Sequence, residues 1–303
     1  YTPLYTLSLH DALPILSTAN FNCTMEIAKT VVELKSILDS RRALGQSIGF
    51  VPTMGALHRG HVSLMEQAVN ENSCVVVSIF VNPTQFNDPN DLKKYPRTPE
   101  QDLELVTRAG VSVVFMPTVD EVYPTPDQRQ FDFGMLDKVM EGVHRPGHFN
   151  GVAQVVSRLF NMVAPNKAYF GQKDFQQLAV IRQMVKMLDL DVVIVGCPII
   201  READGLAMSS RNMLLEPSKR QSAPLIAKTL NEARNKATQL SVKQLIDWVV
   251  STINADDNLK VEYFEVVNAE TLMPISNWKD APQKVGCIAV WAGTVRLIDN
   301  IVL

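Results

Sequence analysis

The sequence predicts an α/β protein, a Rossmann-like doubly wound parallel sheet followed by a smaller α+β C-terminal domain. Apolar, β-branched runs alternate with segments of helical periodicity up to about residue 200, which is typical of parallel strands joined by crossover helices. After residue 201, helical segments precede strand-like ones, which is typical of a separate α+β unit. The expected domains are therefore residues 25–200 and 201–303.

Composition narrows the class of protein. The chain has 303 residues, of which 46% are hydrophobic and 20% charged, as expected of a globular protein with a sizeable core. A net charge of −3 gives no indication of nucleic acid as a partner, and no apolar run is long enough to cross a bilayer. The cysteines are scattered without a CxxC pair, so we expect no zinc site or disulfide framework, and a cytoplasmic location.

Residues 1–24 do not resemble the rest of the chain. They contain no Lys or Arg, so neither a secretory signal nor a mitochondrial transit peptide fits them. We expect a non-native or disordered leader, with the first domain beginning at Met25.

The first domain alternates helices and strands from its start. A helix is expected over Val31–Arg42, ended by Gly45, and a strand over Ser47–Val51. The strands that begin at Cys74 and Asp191 are expected to be buried on both faces. The remaining predictions are helices over Val62–Val69, Pro99–Ala109, Gly151–Val163 and Asp174–Leu188, and strands over Cys74–Val81, Val111–Met116, Ala168–Phe170 and Asp191–Ile200.

The second domain begins with a loop, Glu202–Asn212. It is predicted to continue with helices over Ser218–Gln239 and Ser241–Asn254, then strands over Val261–Val267, Val285–Trp291 and Val295–Asp299.

His58 and His61 lie between a predicted strand and a predicted helix, with Gly60 between them. A helix start collects unpaired N–H groups and the positive end of the helix dipole, which favours phosphate. Imidazoles can donate hydrogen bonds to phosphate, and a glycine lets a base or phosphate approach the backbone. Two exposed histidines on a surface turn would give the same short motif. The preceding strand and glycine-bearing loop favour a nucleotide site.

Two further polar clusters are expected at the same edge of the sheet. Asn82 and Gln85 follow a buried strand, and their carboxamides could bind a hydroxy acid, although Asn-Pro is also a common turn sequence. Lys173 and Asp174 begin the long helix, and Gln177 lies one turn further on. Lys173 offers a charge for a phosphate, whereas Asp174 could equally cap the helix or hold Mg²⁺.

Ser209, Ser210 and Arg211 lie in a polar loop that opens with an Asp-Gly turn signal. Two hydroxyls and a guanidinium in a row can hold a triphosphate. An exposed flexible loop would have the same composition, but loops of this kind also supply lids over reacting nucleotides.

These motifs together resemble a known family. HxGH followed by Met-Ser-Ser-Arg resembles the HIGH and KMSKS pair of the nucleotidyltransferase superfamily, shared with class I aminoacyl-tRNA synthetases. The fuller set resembles the pantothenate synthetase (pantoate–β-alanine ligase) family, in motif order, from about Met25 to the C-terminus. The motifs that carry this resemblance are Val51–His58, Ser78–Pro83, Tyr95–Thr98, Arg145–Phe149, Lys173–Leu178 and Gly205–Asn212.

The resemblance implies an ATP-dependent ligase. Pantoate and β-alanine would condense to pantothenate through a pantoyl-adenylate intermediate, with release of AMP and pyrophosphate. Mg²⁺ would accompany ATP, and the protein would be a cytoplasmic homodimer.

The resemblance also implies roles for individual residues. His61 matches the proton donor of the family and His58 a phosphate-binding partner. The residues implied in catalysis are His61, His58, Lys173, Ser209, Ser210 and Arg211. Those implied in ATP binding are Met54, Gly55, Ala56, Leu57, His58, Arg59, Gly60, His61, Gly171, Gln172, Lys173, Asp174, Ile200, Met208, Ser209, Ser210 and Arg211. Those implied elsewhere are Gln85, Gln177 and Met54 for pantoate, Gln85 for β-alanine, and Asp174 for Mg²⁺.

Two positions depart from the family pattern. The family usually has an acidic residue where Arg59 stands and often Glu where Gln172 stands, and we expect altered local charge at the rim of the site. Two other functions would fit part of the pattern. One is a nucleotidyltransferase acting on a phosphate ester without β-alanine, and the other is a catalytically inactive nucleotide sensor, which the intact HxGH and Met-Ser-Ser-Arg motifs disfavour.

Overall fold

The computed structural model describes residues 25–86 and 89–303, which form two sheets with their helices. The predicted leader, residues 1–24, lies outside the described residues. No helix of the described residues is long and apolar enough to span a membrane.

Helices and strands alternate through the first two thirds of the chain. The strands are β1 (Glu26–Ala28), β2 (Ile48–Thr53), β3 (Cys74–Ile79), β4 (Val113–Phe115), β5 (Lys167–Gly171), β6 (Val193–Cys197), β7 (Leu259–Asn268), β8 (Lys284–Ala292) and β9 (Val295–Val302). The helices are α1 (Val31–Ala43), α2 (Arg59–Glu71), α3 (Pro89–Lys94), α4 (Pro99–Arg108), α5 (Val119–Val122), α6 (Glu141–His144), α7 (His148–Val163), α8 (Phe175–Met187), α9 (Pro217–Ser222), α10 (Pro224–Lys236) and α11 (Val242–Asn254). Short 3₁₀ turns occur at Pro83–Gln85 and Ser210–Leu214.

The larger sheet has six parallel strands in the order β1-β4-β3-β2-β5-β6. This confirms the predicted doubly wound parallel sheet. The chain winds outwards from β2 in one direction through β3 and β4, and in the other through β5 and β6. The strand order therefore reverses between β2 and β5, where the crevice at the carboxyl ends of the strands is the usual ligand site of such folds.

Apolar side chains cover both faces of the parallel sheet. On one face, α1, α7 and α8 pack on residues such as Phe50 and Phe170, and on the other α2 and α4 pack on Val51 and Val77. The smaller sheet is antiparallel, β7-β8-β9, and packs on α10 and α11, which confirms the smaller α+β unit.

Three predictions about individual elements need correction. The strand predicted over Asp191–Ile200 is shorter and lies at the sheet edge, where Val193 is 59% exposed, so it is not buried on both faces. The apolar run of this strand suggests burial between two neighbouring strands, but only β5 pairs with it. The single helix predicted over Ser218–Gln239 is two helices, with Pro224 beginning the second. Glu26–Ala28 also form a strand that was not predicted, β1, beside β4.

A largely buried ion-pair network joins the smaller sheet to α6 of the first domain. Arg296 of β9 donates to both carboxylate oxygens of Glu141, in α6, at 2.7 and 2.8 Å, and its Nε donates to Glu262 of β7 at 2.8 Å. The Tyr263 hydroxyl donates to Glu141 at 2.8 Å. Burial would raise the pKa of Glu141, but the hydrogen bonds and charge of Arg296 outweigh burial and lower that pKa.

Removing Arg296 should therefore destabilise the protein strongly. Arg296→Ala removes the closest cation from the buried Glu141 and from the half-buried Glu262, leaving only Arg145, 3.8 Å from Glu141, and breaking a buried pair costs about 3 kcal/mol or more. Arg108→Ala is the matched control because the Arg108–Glu104 pair is exposed at 73% and 59%, and such pairs contribute about 0–1 kcal/mol. Urea unfolding of both variants measures the difference. Equal losses in the two variants would show that the network does not join the domains.

Candidate active site

A cavity of about 220 Å³ opens at the switch point between β2 and β5. It brings together residues that the sequence places far apart. Of the residues predicted to act in catalysis or to bind ATP, pantoate, β-alanine or Mg²⁺, those lining it are Met54, His58, Gly60, His61, Gln85, Gly171, Lys173, Asp174, Gln177, Ile200, Met208, Ser209, Ser210 and Arg211.

The two histidines cap the start of α2 reciprocally. His58 is the N-cap residue, and its Nδ1 accepts a hydrogen bond from the Gly60 N–H at 3.1 Å. The Nδ1 atom of His61 accepts one from the His58 N–H at 3.3 Å. This is a capping box built from two imidazoles, in which each ring satisfies a backbone donor at the helix start. The ring centroids lie 4.1 Å apart.

This geometry sets the protonation of both rings. A ring nitrogen that accepts a hydrogen bond carries no proton, so each neutral imidazole bears its proton on Nε2. Burial, followed by the charge of Lys173, lowers the pKa of His58 to about 4. Burial and the neighbouring His58 hold the pKa of His61 well below its usual value. Both rings are therefore neutral Nε2–H donors at neutral pH.

Gly60 is required by the fold of the motif itself. A Cβ at this position would lie 2.8 Å from Cε1 and 2.9 Å from Nδ1 of His58, whereas Met208 would be 3.7 Å away. The sequence argument expected the missing Cβ to admit a base or phosphate. In the structure, the His58 ring occupies that space.

A left-handed turn precedes the motif. Gly55 has φ +79° and Ala56 φ +48°, which lie in the region that favours glycine. The Asp102 carboxylate accepts the N–H groups of Ala56 at 3.0 Å and Leu57 at 2.8 Å, and the Thr98 hydroxyl at 3.0 Å. Asp102 is 1% exposed and was not predicted, because it resembles an ordinary acid in the first turn of a helix.

Five residues predicted to bind ATP do not line this cavity: Gly55, Ala56, Leu57, Arg59 and Gln172. The first three form the buried turn on Asp102. Arg59 points along α2 to an ion pair with Glu66 at 2.6 Å, and Gln172 donates towards the Gly196 carbonyl at 3.5 Å. The two departures from the family pattern therefore lie outside the cavity wall.

Gln85 is held from its backbone and from its side chain. The buried Asn82 donates to Gln85 Oε1 at 3.1 Å, so the Gln85 amide nitrogen is turned towards Met54 Sδ, 3.4 Å away. The His148 Nδ1 atom lies 2.9 Å from the Gln85 carbonyl oxygen, and the His148 Nε2 atom lies 3.1 Å from Arg145. Because an arginine can only donate, His148 accepts at Nε2 and donates from Nδ1.

The helix α7 forms an apolar wall beside the turn that carries Gln85. Its cavity-lining residues, which the sequence argument assigned only to a helix stripe, are Val152, Val155, Val156 and Leu159. The wall reaches its position because Gly151 packs directly on the 3₁₀ turn, where an added Cβ would lie 2.4 Å from the Thr84 carbonyl oxygen. A small apolar body with a polar end fits between this wall and Gln85.

Lys173, Asp174 and Gln177 line the cavity at the start of α8. Asp174 occupies the N-cap position but makes no capping hydrogen bond, and its carboxylate lies 3.3 Å from the Lys173 ammonium. The helix N-terminus thus faces the cavity without a side-chain cap. No group of three or more potential metal ligands occurs among residues 25–86 and 89–303, so this site offers Mg²⁺ the single carboxylate of Asp174. Such a site suits an ion that a nucleotide brings with it.

The Met208–Arg211 loop is docked on the left-handed turn that precedes the HxGH motif. The Ser210 hydroxyl donates to the Ala56 carbonyl at 2.9 Å, and the Met208 N–H donates to Ile200 at 3.0 Å. Arg211 pairs with Asp91 at 2.9 Å and lies over the Tyr95 ring, 5.8 Å from its centroid. The loop therefore forms one side of the cavity in this structure.

The fold and this site define a Rossmann-like α/β protein with an HxGH motif at the sheet switch point. The chain belongs to the pantoate-beta-alanine ligase family, whose match covers residues 26–302, and it is a ligase of that family.

Relatives of this family are similar along nearly the whole chain. The pantothenate synthetases of Porphyromonas gingivalis W83 and Bacteroides fragilis YCH46 are 57% and 52% identical over 277 residues, which is 91% of this chain and 99% and 98% of theirs. A crystal structure of pantothenate synthetase from Thermus thermophilus superposes with TM-score 0.85 at 44% identity, covering 91% and 99% of the two chains. The crystal structure of the pantoate-beta-alanine ligase from Francisella tularensis, complexed with "Beta-gamma ATP and Beta-alanine", superposes with a TM-score of 0.76 at 36% sequence identity. The match covers 91% of this chain and 97% of that one.

The tautomers of the two active-site rings give a direct test of this geometry. We expect the imidazole ¹⁵N spectra of the ligand-free protein to show His58 and His61 as neutral Nε2–H rings from pH 6 to 8. Signals of a protonated ring near pH 6.5 for either histidine would contradict the capping arrangement.

Stability should follow pH in the matching direction. The folded pKa of His58 lies near 4 and that of the unfolded chain near 6.5. The unfolded chain thus binds more protons between these values, and stability falls as pH drops from 6.5 towards 4. Urea unfolding at pH 7.5 and 5 measures this loss, and His61→Gln should reduce it. Unchanged stability at pH 5 would refute the buried, neutral state.

Proposed function

We propose that this protein condenses pantoate with β-alanine at the expense of ATP, through a pantoyl-adenylate intermediate, releasing AMP and pyrophosphate. The observation that carries the proposal is the convergence of two kinds of group on one cavity. His58, His61 and Lys173 are donors suited to phosphates, and Gln85 and Gln177 are neutral carboxamides suited to a small hydroxy acid. The relatives named pantothenate synthetase support the same substrates.

In the first step, a pantoate carboxylate oxygen attacks the α-phosphorus of ATP. The P–O bond to the β-phosphate breaks, and its electron pair leaves with pyrophosphate. The Nε2–H groups of His58 and His61, the Lys173 ammonium and the N-terminus of α8 would stabilise the negative charge that develops on the phosphate oxygens. Because both rings are fixed by the capping box, this stabilisation would need little reorganisation.

In the second step, the β-alanine amine attacks the acyl carbon of the adenylate. The acyl C–O bond breaks, AMP leaves with the electron pair, and the amine loses a proton. Gln85 would contact both the acyl group and the incoming amino acid. The apolar wall of α7 would keep water from the mixed anhydride, which water would otherwise hydrolyse.

We also propose that Mg²⁺ enters with ATP and is held by Asp174 together with the phosphates, where it would neutralise phosphate charge. The carboxylate of Asp174, which makes no capping hydrogen bond, supports this assignment. The protein would act in the cytoplasm as a homodimer. Light scattering of the purified protein would test the dimeric state.

The proposed reaction predicts a defined dependence on both acids. With ATP, Mg²⁺ and pantoate, the purified protein should release pyrophosphate up to about one equivalent, with the AMP moiety retained in the bound adenylate. Addition of β-alanine should release AMP and convert this burst into continuous pantothenate production. Coupled pyrophosphate and AMP assays with mass spectrometry measure the products. Pyrophosphate release without any pantothenate would favour a different adenylyltransferase, and no pyrophosphate at all would refute the proposal.

Gln85 and Gln177 should discriminate pantoate from ATP. Loss of a buried hydrogen-bond partner costs about 1–3 kcal/mol, so Gln85→Ala or Gln177→Ala should raise the pantoate KM by roughly tenfold or more. Gln177→Glu should be worse, because it places a carboxylate against the pantoate carboxylate. The ATP KM should stay nearly constant in all three variants. Paired titrations measure both constants, and an equal loss for both substrates would mean that these residues shape the whole site.

A further inference from the structure

Asn300 of β9 reaches from the smaller sheet to the loop that presents Lys173. Its side-chain Nδ2 donates to the backbone carbonyl oxygens of Gln172 at 2.9 Å and Lys173 at 3.0 Å. A carboxamide nitrogen has two N–H groups, so one loop takes both of them. Asn300 is 7% exposed, which places these hydrogen bonds out of solvent.

The neighbouring Asp299 holds the segment from Arg201 to Met208, whose last residue lines the cavity. Its carboxylate accepts two hydrogen bonds from Arg201, at 2.6 and 3.0 Å, and one from the Asn300 N–H at 2.8 Å. Arg201 also donates to the Gly205 carbonyl at 3.1 Å, within the segment that leads to Met208. Two adjacent side chains of β9 therefore contact both segments that line the cavity from this side.

We propose that Asn300 is a positioning residue, which acts through Lys173 on the phosphates of the bound nucleotide. A lysine ammonium is carried on a flexible four-carbon stem, so its reach depends on where its backbone is held. Asn300 holds that backbone by two carbonyls and thereby sets the start of α8 as well. An error of about 1 Å in such a placement can cost up to roughly a hundredfold in rate.

A purely structural role would give a different result. If Asn300 only joined the two sheets, its loss would lower stability and reduce nucleotide binding by the same factor whether or not residue 173 is a lysine. If it acts through Lys173, its effect should largely disappear once the ammonium is gone. This difference is measurable because effects acting through a shared partner are not additive.

The test is a double-mutant cycle on the full chain. The four proteins are the wild type, Asn300→Ala, Lys173→Ala and the double variant, with ATP-Mg²⁺ titrated by calorimetry and melting temperature recorded for each. We expect Asn300→Ala to weaken ATP binding roughly tenfold when Lys173 is present, and less than about twofold in the Lys173→Ala background. Equal factors in both backgrounds would overturn the proposal.

Further variants define the mechanism of the effect. Asn300→Asp replaces the donor by a carboxylate that repels both carbonyls, so its ATP affinity should fall below that of Asn300→Ala. Asn300→Ser, which keeps a single hydrogen-bond donor, serves as the second variant if the alanine variant does not fold. Asn258→Ala is the matched control: Asn258 lies before β7, donates to Ser222 at 3.1 Å and does not line the cavity. An equal loss of ATP affinity in this control would overturn the proposal.

The inference rests on the proposed function only in taking ATP as the ligand. ATP binding needs neither pantoate nor β-alanine, so the cycle remains decisive if the wild type binds ATP and forms no pantothenate. In that case the proposed function fails and the role of Asn300 is still measured. A wild type that does not bind ATP would overturn the role of Asn300 as well.

Discussion

The buried carboxylate of Asp102 is the constraint on which the site depends. It holds the left-handed turn at Gly55 and Ala56, and a Cβ at Gly55 would lie 2.9 Å from one of its oxygens. Burying a carboxylate is costly, and hydrogen bonds from two N–H groups and the Thr98 hydroxyl offset that cost. Through this turn, α2 begins directly above the carboxyl end of β2. The Met208–Arg211 loop depends on the same turn, because Ser210 binds the Ala56 carbonyl.

The chemical character of the cavity lining differs between the two directions in which the sheet is wound. The segments after β2, β5 and β6 supply donors, positive charge and the carboxamide of Gln177, whereas the turn after β3 and the helix α7 supply the carboxamide of Gln85 and an apolar wall. The two sides meet where Gln85 approaches Met54. Because the positive charge lies on the first side, it would compete little for the carboxylate of a small acid bound against the second.

Sequence periodicity and strand-end motifs were sufficient to predict the parallel sheet and most of the cavity. Parallel strands end at a common edge, so the residues after Val51, after Val81 and after Phe170 had to converge. Contacts between distant segments were not predictable in this way. Asp102 has the appearance of a helix-start acid and Asn300 that of a strand residue, and only the folded chain shows which backbone groups they bind. The edge position of β6 was not predicted for a related reason, since an apolar run predicts a strand but does not reveal how many strands will flank it.

The reciprocal capping of His58 and His61 has a consequence for how this motif can evolve. Each ring serves the helix with one nitrogen and faces the cavity side of the fold with the rest of its ring. A substitution of either histidine therefore changes the helix cap and the cavity lining at once, so neither property can change independently of the other. A Ser or Asn at position 58 could restore the cap but not the imidazole donor. Gly60 is subject to the same constraint, because any larger residue there would displace the ring of His58.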